Sequence, residues 1–195
     1  MLCKDLKPKT KDPIPIMPKH IAFLRAINVG NHTVKMGELK ALFEELGFAN
    51  VETFIASGNV IFDAKSSKTD ALESKIEKHL EKSLGYEVTT FVRSPKELIR
   101  IAAYEPFDPK ELTAEGNTLF VAFLSDWPSK EATQRILSHN SPIDGLRVAE
   151  RELYWLYRRK NGESKLYGPI LEKSLGLKAT VRNVNTIKRI AKKYC

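Results

Sequence analysis

Cysteine is nearly missing from this chain: Cys3 and Cys195 are the two in 195 residues, and they stand at the extreme ends, where chains fray. That excludes a disulfide framework and a zinc site built on thiolates, and it fits a reducing, cytoplasmic compartment. The four histidines, His20, His32, His79 and His139, are scattered, with no H-E-x-x-H and no pair at ligand spacing, so no metal is expected. No apolar run approaches the length of a bilayer span. The opening MLCKDLKPKTKDPIPIMPKH lacks the apolar centre of a secretory signal, and residues 1–20 are read as a flexible arm rich in lysine and proline. Neither G-x-x-x-x-G-K-[ST] nor G-x-G-x-x-G occurs, and no G-x-S-x-G either. A P-loop, a dinucleotide fingerprint and a nucleophile elbow are thereby excluded, and no cofactor is expected.

What is present is cationic. Lys and Arg number 32 against 24 Asp and Glu, a formal net charge of +8. Such an excess attracts phosphates, nucleic acid or anionic surfaces, although many basic proteins bind none of these. With 42% hydrophobic and 29% charged residues the chain has enough apolar side chains for a sizeable core.

The apolar run from Ile21 (IAFLRAI) predicts a buried strand. Met36, Leu39, Leu42, Phe43 and Leu46 then recur at helical spacing until Gly47 stops the helix. VETFIASGNVIFDA is a hairpin pattern with Gly58 and Asn59 as a two-residue turn. Leu72, Ile76, Leu80 and Leu84 stripe a second helix, and EVTTFVR is a fourth strand. The order βαββαβ is that of a ferredoxin-like sheet with both helices on one face. SPKELIRIAAY is a linking helix and EPFDPKELTAEGN a connection. NTLFVAFL, SKEATQRILSHN, LRVAERELYWLYRRK, LYGPILEKSLG and KATV then repeat the pattern, so an internal duplication is inferred. NVNTIKRIAKKYC adds a last helix. The expected organisation is an α+β chain of two ferredoxin-like subdomains with antiparallel sheets: an arm over 1–20, a first subdomain over 21–93, a link over 94–117, and a second subdomain with its C-terminal helix over 118–195.

Three stretches, LRAINVGNHTVKMGELKALFEELGF, SGNV and TVRNVNTIKRIA, resemble in their order a bacterial family of uncharacterised proteins, domain of unknown function 1697. The resemblance runs from about Ile21 to the C-terminus; the prefix before Ile21 departs from it. It implies a double ferredoxin-like fold and brings no established activity.

The connection RAINVGNHTVKM joins a strand to a helix, and free backbone N–H groups with the helix dipole at such a place favour an anion. Arg25 and Lys35 would add charge. The competing reading is plain turn chemistry, with Asn28 and Gly30 supplying unusual backbone angles and Thr33 capping the helix. Ser57 and Asn59 would present polar groups at the sheet end, and a nucleophilic Ser57 would need a base beside it. In TVRNVNT, Thr180 or Asn183 would cap the last helix and leave Arg182 at a positive helix start, suited to phosphate or carboxylate. Ile187, Ile190, Ala191 and Tyr194 form that helix's apolar stripe, with Lys188, Arg189, Lys192 and Lys193 facing solvent.

In LYWLYRRK, aromatics interleaved with arginine could stack bases, but the RNP1 pattern is missing and core packing explains them as well. Glu77 beside His79 looks solvated, and Glu105 with Asp108 shows no chemistry by spacing alone. The functional expectation is a site between the two halves for an anionic, phosphate- or carboxylate-bearing small molecule or nucleotide, built from Arg25, Asn28, Gly30, Lys35, Ser57, Asn59, Arg182 and Asn183. Alternatives are an enzyme on a small phosphorylated metabolite or nucleotide, and a protein that binds single-stranded nucleic acid or is purely structural or partner-binding. No membrane partner is expected, and oligomeric state is open.

Overall fold

Strand β1 (Lys19–Leu24) is buried on both faces, as its unbroken apolar text requires of a central strand. The structure, a computed structural model, describes residues 17–28, 32–66 and 68–195. Most of the expected arm, Cys3 and Gly30 lie outside these residues. After β1 come α1 (Met36–Glu45), β2 (Ala49–Thr53), β3 (Asn59–Asp63), α2 (Thr69–Leu84) and β4 (Thr90–Arg93). They form a four-stranded antiparallel sheet in the order β2-β3-β1-β4.

Helix α3 (Pro95–Ala103) begins with a full capping box between Ser94 and Glu97 and with Pro95 in its first turn, which stops the chain from continuing as strand. A short α4 (Pro109–Thr113) follows. Next come β5 (Asn117–Leu124), α5 (Lys130–Leu137), β6 (Asp144–Ala149), β7 (Glu152–Arg158), α6 (Gly168–Leu175) and β8 (Ala179–Asn183). They build a second antiparallel sheet in the same relative order, β6-β7-β5-β8. Helix α7 (Val184–Tyr194), capped by the Asn183 side chain, ends the chain. The α+β architecture of two four-stranded antiparallel sheets is therefore as the alternation of periods implies.

Side-chain alternation assigns each sheet face. Ala22, Leu24, Val60, Phe62 and Val92 turn toward α1 and α2, and Ala122, Leu124, Leu146 and Leu153 toward α5 and α6. The opposite faces share one interior. Ile21, Phe23, Ile61 and Phe91 meet Val121, Phe123, Tyr154 and Leu156, with Leu98 and Ile101 of α3 and Ile187 and Ile190 of α7. Phe23 and Phe123, at equivalent positions of β1 and β5, stack with centroids 4.0 Å apart and planes 12° from parallel. Each sheet thus has its own helices on one face and the shared interior on the other.

Local expectations needed correction at three points. The hairpin turn between β2 and β3 is not Gly58-Asn59: the connection is Phe54–Gly58, and Asn59 is the fully buried first residue of β3. Gly58 sits at φ +69° with its Cα against Leu24 and Ile27, where a side chain has no room. In the first strand-to-helix connection Ala26, at φ 58°, takes the left-handed conformation expected of Asn28. Finally, Lys35 and not Thr33 precedes α1, without a side-chain cap.

Candidate functional site

The last strand of each sheet carries the same dipeptide, Val92-Arg93 in β4 and Val181-Arg182 in β8. Both guanidinium groups point inward, and each crosses to the other half. Arg182 donates from Nε to Asn59 Oδ1 at 2.7 Å and from Nη2 to the Leu24 carbonyl at 2.9 Å. Its Nη1 is bound to Thr180 Oγ1 and to the Val181 carbonyl. Arg93 donates from Nε to Glu152 Oε1 at 2.8 Å and reaches the Leu124 and Arg151 carbonyls at 3.4 Å. Each cation also lies over the central phenylalanine of the opposite half, Arg182 over Phe23 and Arg93 over Phe123. Burial pushes the Arg182 pKa down to about 10, since no carboxylate stands beside it to favour the charged form.

The exchange makes a table of equivalents. Leu24 N–H bonds to the Gly58 carbonyl as Leu124 N–H does to Arg151, and Arg25 N–H bonds to Thr89 as Ser125 N–H does to Lys178. Glu77 Oε1 accepts the Thr90 N–H, and Glu172 Oε1 accepts the Ala179 N–H, both at 2.9 Å. Arg25 thus corresponds to Ser125, Asn59 to Glu152, and Glu172 to Glu77.

Most of the residues expected to bind an anion are already engaged with other groups of the protein. Arg25 grips Glu172 with two hydrogen bonds, at 2.7 and 2.9 Å. Asn28 accepts from the Val34 N–H and donates to the Ala56 carbonyl, so it holds the turn through its side chain and not through its backbone angles. Asn59 donates to the Phe54 carbonyl and to Ser57 Oγ. Ser57 therefore has an amide beside it where a nucleophile would need a base. Arg182 is not at an open helix start but inside the interior. So Asn28, Ser57, Asn59 and Arg182 do gather around one hairpin, with Arg25 at its margin turned toward α6. Lys35 is exposed, Asn183 serves as the cap of α7, and neither joins them.

The counterpart of this packed corner in the other half is open. A cavity of about 530 Å³ lies between the halves, lined by Asp70, Glu73, Ser74, Glu77, Thr89, Thr90, Glu97, Arg100, Ser125, Asp126, Trp127, Glu150, Arg151 and Glu152. Seven carboxylates face two arginines there. Both arginines are already paired, Arg151 with Glu97 at 3.7 Å and Arg100 with Glu150. Glu77 has no cation within 4 Å among the described residues. Its equivalent Glu172 is neutralised by Arg25; where Arg25 would stand, the cavity has Ser125. Trp127 lies at the rim with 62% of its surface exposed.

Burial raises the pKa of Glu73, against the Val92 N–H and the nearby Arg151 and Arg93. For Glu97 burial also acts upward but is outweighed by the Ser94 N–H and hydroxyl and by Arg93 and Arg151, which hold it below the usual range. Glu77 is thus half-buried and committed to a backbone amide, not the solvated side chain expected of it. The residues that line this cavity escaped motif reading because acids and a lone serine carry no signature. The signal that finds them is the alignment of one half on the other.

No helix among the described residues is long and apolar enough to cross a membrane, and no cluster there of three or more His, Cys, Asp or Glu could hold a metal ion. The search among curated proteins gave no match. A solved structure, that of a conserved bacterial protein from Streptococcus pneumoniae, is similar with a TM-score of 0.74 at 19% identity, over 90% of this chain and 97% of that one. At that identity the likeness concerns the fold, and it spans both sheets. A family model described as a protein of unknown function, DUF1697, matches residues 17–154, the whole first sheet with its helices and the second half as far as the start of β7. The chain belongs to the DUF1697 family.

Proposed function

We propose that this protein binds a small ligand between its two halves, in the carboxylate-lined cavity, and that the ligand presents an ammonium or guanidinium group. The observation that carries the reading is the pair Glu77 and Ser125. Everything that positions Arg25 against Glu172 is repeated around Glu77, including the shared backbone hydrogen bonds, except the cation itself. A ligand cation would occupy the place that the Arg25 side chain takes in the equivalent corner. Trp127 at the rim offers an aromatic face for a cation in addition.

The anionic ligand suggested by the net charge of +8 fits this cavity poorly. A phosphate there would meet seven carboxylates, and in the equivalent corner it would have to displace Glu172 from Arg25. The cationic reading treats the two halves as an internal duplication in which one copy filled its pocket and the other kept it open.

The test uses arginine, putrescine and spermidine as probes, with Trp127 as the sole tryptophan, excited selectively, in a Trp155→Phe background. The expected result is saturable binding that weakens about tenfold in Glu77→Gln, since a charge-assisted bond is worth about 1.4 kcal/mol or more. No binding by any of the three, or equal binding by Glu77→Gln, overturns the reading. Binding of inorganic phosphate or AMP that is lost in Arg25→Ala would establish the anionic reading instead.

A further inference from the structure

The two sheets differ in how well their helices cover them. In the first, His20 of β1 and Phe62 of β3 are paired across the ladder and almost wholly enclosed, 2% and 0% exposed. Phe48 stacks on Phe62 at 4.5 Å, and Leu72 in the opening turn of the sixteen-residue α2 closes the same cluster. The equivalent pair in the second sheet is Phe120 of β5 and Trp155 of β7, with ring centroids 5.1 Å apart. Here α6 has eight residues and starts only at Gly168, so the covering turn is missing and both rings are partly exposed. Tyr157 continues the row, 6.2 Å from Trp155. An open groove of about 660 Å³ runs along Trp155 and Tyr157 to the segment 159–166.

Polar contacts hold the rings at their edges, and Trp155 and Tyr157 stay partly exposed along the groove. Trp155 Nε1 donates to Asp144 Oδ1 at 2.7 Å, and the Tyr157 hydroxyl to the Gly162 carbonyl at 3.3 Å. The adjoining segment is basic. Arg159 lies over the Tyr157 ring at 6.0 Å, and Lys165 is exposed on the adjoining hollow, which shares Glu163 and Leu166 with the groove. Neither has an ion-pair partner among the described residues, and Glu163 is the one acid in that segment. A row of partly exposed aromatic rings with unpaired cations in the adjoining segment suits a chain of planar rings joined by negative charges.

We infer that the part of the second sheet's helix-bearing face that α6 leaves partly exposed, Phe120, Trp155 and Tyr157 with Arg159 and Lys165, is a platform for single-stranded nucleic acid. It would stack about two or three bases, as sheet-based binders do. This surface is distinct from the carboxylate-lined cavity and does not depend on what that cavity holds.

Trp127 and Trp155 are the two tryptophans of the chain, so Trp127→Phe leaves Trp155 alone to report. Titration with an oligothymidylate at low salt is expected to quench it. The affinity should fall with salt at a log–log slope of about −1.4, the value for two phosphate contacts on a single strand. Tyr157→Ala, checked for an unchanged melting transition, should weaken binding about tenfold, and Arg159→Ala should flatten the slope by about 0.7. Should Tyr157→Ala not fold, Arg159→Glu is the second variant, with the same loss expected. Absence of quenching, unchanged affinity in a folded Tyr157→Ala or Arg159→Glu, or equal affinity for thymidine monophosphate or for duplex DNA overturns the inference.

Discussion

Arg182 donates to Asn59 at 2.7 Å where its equivalent Arg93 donates to Glu152 at 2.8 Å, so one buried guanidinium faces a carboxylate and the other a neutral amide. The exchange ties the C-terminal end of β1 to β8 and that of β5 to β4, and with the Phe23–Phe123 stack it makes the interior common to both halves. Arg182 manages without a counter-ion because its donors are spread over Asn59 Oδ1, Thr180 Oγ1 and the Leu24, Val181 and Gly58 carbonyls. A fully hydrogen-bonded buried cation is tolerable where an unbonded one is not.

Removing that side chain leaves buried acceptors empty and a cavity besides. Arg182→Ala is expected to cost about 3 kcal/mol in urea unfolding, the sum of one or two unsatisfied polar groups and lost packing. On the other side, Glu152→Gln keeps an acceptor for Arg93 and should cost about 1–2 kcal/mol, whereas Glu152→Ala should cost about 3–5 kcal/mol. A Glu152→Gln variant as unstable as Glu152→Ala would show that Arg93 needs the charge and that the amide at Asn59 is no precedent.

Ser125→Arg restores in the open cavity the side chain that fills its counterpart. The new guanidinium should reach Glu77 and raise stability by up to about 1 kcal/mol, read as a higher melting temperature, while abolishing any amine binding. A fall in stability would mean that the cavity is too narrow for the side chain Arg25 places against Glu172.

Gly58→Ala places a Cβ 2.6 Å from Ile27 Cγ2 and 3.2 Å from Leu24 Cβ, at φ +69°. Backbone strain of about 1 kcal/mol and displacement of a buried isoleucine together predict a loss of about 2 kcal/mol or more. The hairpin Phe54–Gly58 carries both Ser57 and the carbonyl that Leu24 bonds, so the same variant should loosen the Arg182 contacts. Amide exchange at Leu24 reads this directly.

Periodicity made the two sheets and their helices legible, because a strand buried on both faces and an amphipathic helix write different spacings into the text. Asn183 as a cap and the stripe Ile187, Ile190, Ala191 and Tyr194 were legible for the same local reason. Arg182 was visible as an unusual residue, but not as a buried one: an arginine in a short strand beside a helix start has the same letters whether it faces solvent or the interior. The cavity was illegible because what defines it is a missing partner. Ser125 means nothing until it is laid on Arg25, and that comparison rests on hydrogen bonds between strands far apart in sequence. Trp155 was ambiguous for a related reason, since its exposure depends on the length of α6 rather than on its own strand.

His20 supplies a pH signature for the first sheet. It is 2% exposed, its Nε2 lies 3.0 Å from the Ser66 carbonyl and so carries the proton, and Nδ1 has no partner among the described residues. Burial lowers its pKa, against the Ser66 carbonyl and the charges of Asp63 and Glu97, which favour the protonated form. A histidine whose folded pKa is depressed binds fewer protons in the native state than in the unfolded one. Its contribution is therefore fully present above the unfolded value of about 6.5 and is lost as the pH falls through the folded pKa. His20→Leu removes this loss. The stability difference between wild type and variant, measured by urea unfolding at a series of pH values, should be flat above pH 7 and should shift in favour of the variant on acidification below about pH 6.5. A difference that stays constant down to pH 5 would show that His20 accepts a second proton without cost, and that its enclosure under Phe62 and Ser66 is looser than the packing indicates.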